Sequence, residues 1–305
     1  MNLPRLVATD LDGTLLRGDG TISARTRRAL GAAERAGVEV VFVTARPPRW
    51  LGHLADVVGG HGRVVCLGGA AVWDLASGAA LDVRGFGDDD ARAVVADLRA
   101  ALPGVALAFE RVDGPVYDAA FRSGESLDPA WVTPAVESAL GRGAAPVGKI
   151  LALDTPRQAP AEADDGPGAG KPWSTPATAP VTATAAQEAF FARVRDAVGA
   201  RAHLAYSGAG GLAELLAPDV TKDAALARWC AGLGIDAADV WAFGDMPNDL
   251  PMLRWAGRGH AVANAHPQVL AAADAVVGSN DDDGVAVALE AAMDAALGHP
   301  RTDAG

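Results

Sequence analysis

The stretch LVATDLDGTLLRGDGTIS, Leu6 to Ser23, decides the fold. Its apolar first half reads as a short strand buried on both faces, the kind found in the middle of a parallel sheet. The run ends in two acids, Asp10 and Asp12, one leucine apart. Gly13 and a polar, glycine-punctuated loop follow. In an extended chain residues 10 and 12 point the same way. Two carboxylates there therefore mean that the strand is ending and that the chain turns at Gly13. Ligands of parallel α/β sheets sit outside the carboxyl ends of the strands, so the acid pair marks that rim.

Working outward, SARTRRALGAAERAG predicts a helix capped by Ser23 and stopped at Gly37. VEVVFVT is a second strand rich in β-branched residues, PPRWLGHLADVVG a proline-initiated helix and RVVCL a third strand. Strand–helix alternation implies right-handed crossovers and a parallel sheet. The same grammar returns at the end of the chain: helix TKDAALARWCAGLG, strand DVWAFGD, short helix PNDLPMLRWAG, strand GHAVAN, helix HPQVLAAA, strand DAVVG and helix DGVAVALEAAMDAALG. The middle differs. DDDARAVVADLRAAL and AQEAFFARVRDAVG are helical, and VALAFERV and KILALD read as strands. The expectation is an α/β, Rossmann-like parallel-sheet core over 1–80 and 208–305, with an α+β domain inserted at 81–207. Within the insert, 155–186 is rich in Pro, Ala and Thr, with six prolines and a single aromatic residue, Trp173. It reads as a disordered loop.

The 305 residues carry 26 Lys+Arg against 38 Asp+Glu, a formal charge of −12. Such a chain has no electrostatic pull on nucleic acid or anionic membrane, so neither is expected as a partner. An anionic substrate must be held by local cations or a metal. No apolar stretch reaches membrane-spanning length, and MNLPRLVATD lacks the apolar run of a signal peptide. Two cysteines, Cys66 and Cys230, stand outside any metal-ligand spacing and suit a reducing, cytoplasmic setting. The acidic runs at Asp88–Ala91 and Asn280–Gly284 read as helix N-termini rather than metal sites. The six histidines form no i, i+4 pair and read as packing or surface residues.

Three strands deliver polar groups to one rim: Asp10 with Asp12, Thr44 after VVFV, and Asp245 after VWAFG. Clustered carboxylates stay ionised together only beside a compensating cation. Asp10, Asp12, Asp245 and Asp249 are oxygen ligands or supports for a hard ion, and the lack of a Cys/His set favours Mg²⁺ over zinc. Aspartate can attack phosphorus, and a carboxylate two residues on can move the protons. A lysine and a hydroxyl would then orient the phosphoryl oxygens.

Four segments carry a resemblance: DLDGTL at Asp10–Leu15, VFVTAR at Val41–Arg46, VTKDAAL at Val220–Leu226 and GDMPNDLPML at Gly244–Leu253. Their order and spacing resemble the four motifs of the haloacid dehalogenase-like superfamily, above all its Cof-like phosphatases, whose large cap lies between the second and third motifs. The likeness covers nearly the whole chain, including the tail NAHPQVLAAADAVVGSNDDDGVA. It implies Asp10 as nucleophile, Asp12 as general acid/base, Thr44 as phosphate-binding hydroxyl and Lys222 as partner of nucleophile and phosphate. Asp245 is implied as Mg²⁺ ligand together with Asp10 and the Asp12 carbonyl. Asn248 and Asp249 are implied as phosphate or metal-shell contacts, and Gly13 as the turn that leaves room for phosphate. Arg46 matches the family's arginine, with two readings open: substrate contact or anchor of a helix start. The chain has LGGAAV, with Gly68 and Gly69, where Cof-like proteins often have Asn-Gly-Ala.

The implied function is a Mg²⁺-dependent phosphatase acting on a small phosphate ester such as a phosphosugar, a nucleotide or a phosphorylated cofactor. A phosphomutase or specialised sugar-phosphate phosphatase is the alternative. A phospho-accepting signalling module, which also groups acids, a Thr and a Lys on a parallel sheet, is the remote one. The substrate and the oligomeric state are not legible in the sequence.

Overall fold

The computed structural model describes residues 3–55, 62–122, 127–141, 144–154, 184–206, 212–296 and 298. The chain opens with β1 (Leu6–Thr9), α1 (Ala24–Arg35), β2 (Glu39–Val43), β3 (Arg63–Cys66), β4 (Ala71–Asp74) and β5 (Ala79–Val83). The middle holds α2 (Asp88–Ala101), β6 (Ala106–Glu110), β7 (Val116–Asp118), β8 (Val132–Thr133), β9 (Lys149–Leu153), α3 (Ala185–Val198), β10 (His203–Ala205) and β11 (Ala213–Leu216). The chain closes with α4 (Lys222–Leu233), β12 (Val240–Gly244), α5 (Leu250–Trp255), β13 (Arg258–Val262), α6 (Pro267–Ala272), β14 (Ala275–Val277) and α7 (Gly284–Ala296).

An eight-stranded sheet has the order β14-β13-β12-β1-β2-β3-β4-β5. The strands from β14 to β3 run parallel. The β3–β4–β5 edge is antiparallel. β1 lies in the middle, all four residues buried, between β12 and β2. This is why LVAT carries no polar face: helices cover both sides of a parallel sheet. Leu6, Val7, Val41, Phe42, Val65 and Phe243 belong to one core cluster with Leu30, Leu226 and Leu289 of the flanking helices. Ser23 caps α1 through the Thr26 amide, and Gly37 follows it at φ +85°. Among the described residues no helix is long and apolar enough to cross a membrane.

The second sheet has the order β10-β11-β9-β6-β7-β8. Its two faces follow the period of two. Leu107, Phe109, Ile150, Ala152, Ala213 and Leu215 pair across the strands and pack with Val94, Val95, Phe190 and Phe191 of α2 and α3. The opposite face carries Glu110 beside Lys149, Leu151 beside Glu214, and Ala108 beside Tyr117. Charged residues thus occupy the face that the helices leave uncovered.

Strand pairing moves the expected boundaries at 80/81 and 207/208. β5 stays in the first sheet to Val83, and β11 joins the second sheet through β9 and β10. Residues 155–183 of the expected disordered loop lie outside the described residues. Thr184, Ala185 and Ala186 do not form part of a loop: Thr184 caps α3 in a reciprocal capping box with Gln187. The helix expected over PPRWLGHLADVVG is not one helix. Its described part makes two single 3₁₀ turns, Pro48–Trp50 and Gly52–Leu54. Gly52 weakens helix propagation there, and Arg49 is drawn off to the second sheet by Glu110. The run at Asn280–Gly284 does precede α7, but two of its acids, Asp281 and Asp283, bind the loop after β1. The run at Asp88–Asp90 is the first turn of α2, as its charge predicts. His260 is a packing residue, stacked on Phe243, and burial pushes its imidazole down to about 4.

Candidate active site

Three adjacent strands end together. The Asp10 amide donates to Phe243 O of β12 at 3.0 Å, and the Thr44 amide donates to Val65 O of β3 at 2.8 Å. These bonds carry the parallel pairing one step past the strands. They set Asp10 (after β1), Thr44 (after β2) and Asp245 (after β12) along one rim, all buried. The structure thus places these three strand-end residues together.

Lys222 opens α4 behind the cap residue Thr221. Its Nζ lies 2.5 Å from Asp10 Oδ1 and 2.6 Å from Asp249 Oδ1. Asp249 Oδ2 accepts the amides of Asp245 (3.1 Å) and Met246 (3.0 Å). Both Asp249 oxygens are therefore engaged, one in aiming the lysine and one in shaping the loop that carries Asp245. Asp245 Oδ1 accepts from Thr14 Oγ1 at 2.9 Å. Gly13 adopts φ +77°, and a Cβ there would lie 2.4 Å from Asp245 Oδ2. Glycine at 13 is thus a condition of bringing Asp245 against the acid-pair turn. Gly69 is fixed in the same way, because a Cβ would meet Thr221 O at 2.2 Å, beside Lys222.

Among these buried charges, three carboxylates (Asp10, Asp245, Asp249) face one ammonium, which leaves a local charge of 1 − 3 = −2. The electrostatics register the shortfall. Burial pushes the Asp10 carboxyl up to about 7 against the pull of Lys222, with Asp249 and Asp12 adding to the rise. Burial and the neighbouring carboxylates of Asp10 and Asp249 hold Asp245 well above its ordinary range. Burial works against the Lys222 charge, but Asp10 and Asp249 outweigh it and hold the ammonium above its ordinary value. Asp10, Asp245 and Asp249 each offer an oxygen within 4.8 Å of the others. Among the described residues no hydrogen bond takes the second oxygen of Asp10 or Asp245. An all-oxygen set short of positive charge fits a hard divalent cation. Asp10 and Asp245 have oxygens to give, whereas those of Asp249 are already hydrogen-bonded.

Asp12 stands apart from this group. Its carboxylate is half exposed and turned to Arg46, which grips it with both arms, Nε to Oδ2 at 2.7 Å and Nη2 to Oδ1 at 2.5 Å. Arg46 thus makes a contact that its sequence position alone did not offer. The structure gives it an orienting contact to the second acid. Its amide also donates to Thr44 Oγ1 at 3.1 Å. The Oδ1 of Asn248, in the turn between Asp245 and Asp249, is buried with no hydrogen-bond partner among the described residues, and the Asn248 backbone N–H donates to Tyr206 O at 3.3 Å.

The tail of the chain also reaches the site, through residues that no motif marks in the sequence. Asn264 donates from Nδ2 to Gly13 O at 2.7 Å, and its Oδ1 accepts the Asn280 amide at 3.0 Å. Buried Asn280 donates from Nδ2 to Leu16 O at 2.8 Å. Asp283 forks onto Arg17 (3.2 and 2.9 Å), and Asp281 accepts the Gly18 amide. Two asparagines in NAH and SND thus brace both sides of the acid-pair turn. Their signal was polar residues at the ends of β13 and β14, the same rim rule that marked Asp10. Asn280→Ala is expected to cost about 1–3 kcal/mol by leaving Leu16 O buried and unpaired. Urea denaturation would measure it.

A family model described as haloacid dehalogenase-like hydrolase matches residues 7–130 and 180–289. A Bacillus subtilis (strain 168) protein named "Putative phosphatase YxeH" is 28% identical over 298 residues, 93% of this chain and 97% of that one. The phosphoglycolate phosphatase of Methanopyrus kandleri is 39% identical over 97 residues, 32% of this chain and 42% of its own. Among solved structures, BT1666 of Bacteroides thetaiotaomicron superposes with a TM-score of 0.72 at 19% identity, over 95% of this chain and 96% of its own. TM0651 of Thermotoga maritima superposes at 0.70 and 20% identity, over 95% and 97%. With the four ordered motifs converging on one rim of the parallel sheet, the chain belongs to the haloacid dehalogenase-like hydrolases, in their Cof-like branch.

Proposed function

We propose that this chain is a phosphatase that hydrolyses small phosphate esters through an aspartyl-phosphate on Asp10. The observation that carries the reading is Asp10 itself. One of its oxygens is held by buried Lys222 and the other takes no hydrogen bond among the described residues, at the end of the central strand. One Asp10 carboxylate oxygen attacks phosphorus while the bond from phosphorus to the leaving oxygen breaks, and the other is left for the cation. Asp12 gives that oxygen its proton. A water then attacks the aspartyl-phosphate, Asp12 takes the water's proton, and the bond to Asp10 breaks to release inorganic phosphate. Lys222 and the Thr44 hydroxyl hold the phosphoryl oxygens, and Arg46 orients Asp12.

Asp10, Asp245 and the Asp12 carbonyl would hold Mg²⁺, with Asn248 and Asp249 supporting the loop. The ion would supply the positive charge that lets a site carrying three carboxylates and one ammonium accept a phosphate dianion. The names of the relatives support phosphate esters as substrates: the M. kandleri protein is named a phosphoglycolate phosphatase and a Cronobacter sakazakii relative an HMP-PP phosphatase. Both cysteines are free and buried, with burial raising Cys66 to about 12 and Cys230 to about 11. Inert thiols accord with a cytoplasmic enzyme.

Purified protein is expected to hydrolyse p-nitrophenyl phosphate in Mg²⁺. EDTA should lower turnover by about 100-fold or more, and excess Mg²⁺ should restore it. A stable phosphoprotein with no turnover would overturn the reading.

A further inference from the structure

Three consecutive carbonyls after β2 each accept one hydrogen bond. Thr44 O takes the Gly68 amide at 3.0 Å, and Arg46 O takes the Leu67 amide at 2.9 Å. Both donors come from the neighbouring strand connection of the same sheet. Between them, Ala45 O takes Lys149 Nζ at 2.9 Å. Lys149 begins β9 of the second sheet, on the face that α2 and α3 leave uncovered. It is buried, and its ammonium also lies 2.6 Å from Glu214 Oε2 of β11. A second bridge runs the opposite way. Arg49, in the turn just after Arg46, reaches the second sheet at Glu110 and at the Tyr117 hydroxyl (3.2 Å).

Ala45 separates the two residues that matter for the proton step. The Thr44 hydroxyl takes the Arg46 amide, and the Arg46 guanidinium grips Asp12 with both arms. Without the lysine, Ala45 O would be the one carbonyl of the three with no donor from this set, and the peptide that sets the direction of Arg46 would keep only its amide-side anchor on the Thr44 hydroxyl. A buried ammonium is costly to place. Its ion pair with Glu214 offsets that cost within the second sheet and leaves another N–H to donate to the core.

We propose that Lys149 is a positioning residue for the acid/base step. By docking on Ala45 O it couples the seating of the second sheet to the orientation of Arg46 and, through it, of Asp12. This rests on the phosphatase reading. It assigns the second sheet a part in proton transfer itself, over and above covering the site.

The test is the dependence of kcat/KM on the leaving group. A p-nitrophenolate leaves without a proton, phenolate needs one more, and an alkoxide cannot leave without one. kcat/KM covers the steps up to transfer onto Asp10, where this difference acts. Lys149→Met should therefore lose about 10-fold more on glycerol 3-phosphate than on p-nitrophenyl phosphate, a fraction of the roughly 10²–10⁴-fold that general acid catalysis contributes. Phenyl phosphate should fall between them. Asp12→Asn sets the full size of the discrimination, and Lys149→Arg should recover part of it. Lys149→Met alone strands Glu214, so Lys149→Met/Glu214→Gln, which removes both charges, is read out alongside and should discriminate in the same way. An equal loss on all three esters would overturn the positioning role while leaving a working phosphatase. Failure of the wild-type protein to hydrolyse any of them would overturn the phosphatase reading and this proposal together.

Discussion

Asp10→Asn removes turnover, with kcat on p-nitrophenyl phosphate expected to fall by about 10⁴-fold or more, the scale seen when a covalent nucleophile is deleted. The amide is close to isosteric and can still accept from Lys222, so the loss is chemical. Stability separates this from unfolding. The folded Asp10 carboxyl titrates at about 7 rather than 3.8, because burial disfavours its charge. Between those values the folded chain holds a proton that the unfolded chain has released. Stability therefore falls as pH rises through about 4 to 7 in metal-free protein, and Asp245, shifted the same way, adds to the slope. Asp10→Asn deletes its part of that penalty. The variant should be inactive, folded, and more heat-stable than metal-free wild type at about pH 8, with the difference shrinking toward about pH 4. Thermal unfolding at several pH values in EDTA checks the sign. A variant that is both active and unchanged in its pH slope would remove Asp10 from the centre of the site.

What could be read in advance divides along a physical line. Strand-end acids on an apolar run announce themselves, because nothing in the packing of a parallel sheet asks for them. LVAT-Asp10 and VWAFG-Asp245 were legible for that reason, and so was Lys222 through its motif. The hydrogen bonds that set Asp249 apart from Asp245 were not. Asp249 and Asp245 look alike in a sequence. Only the folded loop shows that Asp249 spends both oxygens on Lys222 and two amides, while Asp245 keeps one clear among the described residues. Arg46 could not be assigned because its partner Asp12 is 34 residues away across the rim. Lys149 was invisible for the same reason, lying inside an ordinary strand with its acceptor in another sheet. Pairings that close over long loops leave no local pattern. The broken helix at 48–54 failed differently: Arg49 is committed to Glu110, a tertiary contact that overrides a proline-started helix signal. The antiparallel β4–β5 edge also escaped, because β5 is a partly exposed edge strand with no buried run to mark it.

Lys222→Met should damage both fold and chemistry, and the two losses can be told apart. Lys222 is the ammonium shared by Asp10 and Asp249, at 2.5 and 2.6 Å, with all three groups buried. Replacing it by an apolar chain of similar length leaves two carboxylates desolvated without their cation. Breaking a buried pair in this way typically costs about 3–5 kcal/mol, which urea denaturation in EDTA at mildly alkaline pH would report as a lower midpoint. The cost should shrink in mildly acidic buffer, below the raised Asp10 value of about 7, where that carboxyl is protonated in the folded chain and one of the stranded charges disappears. Activity should fall by about 10³-fold, the order expected when a preorganised group facing transition-state charge is lost. The double variant Lys222→Met/Asp249→Asn resolves the two effects. The asparagine side chain would present a carbonyl to the Asp245 and Met246 amides, as Asp249 does now, so the loop keeps its shape and no uncompensated charge remains at that position. Stability should recover by a measurable fraction while turnover stays low. If turnover recovered along with stability, Lys222 would be a structural cation, and the phosphoryl oxygens would need another partner.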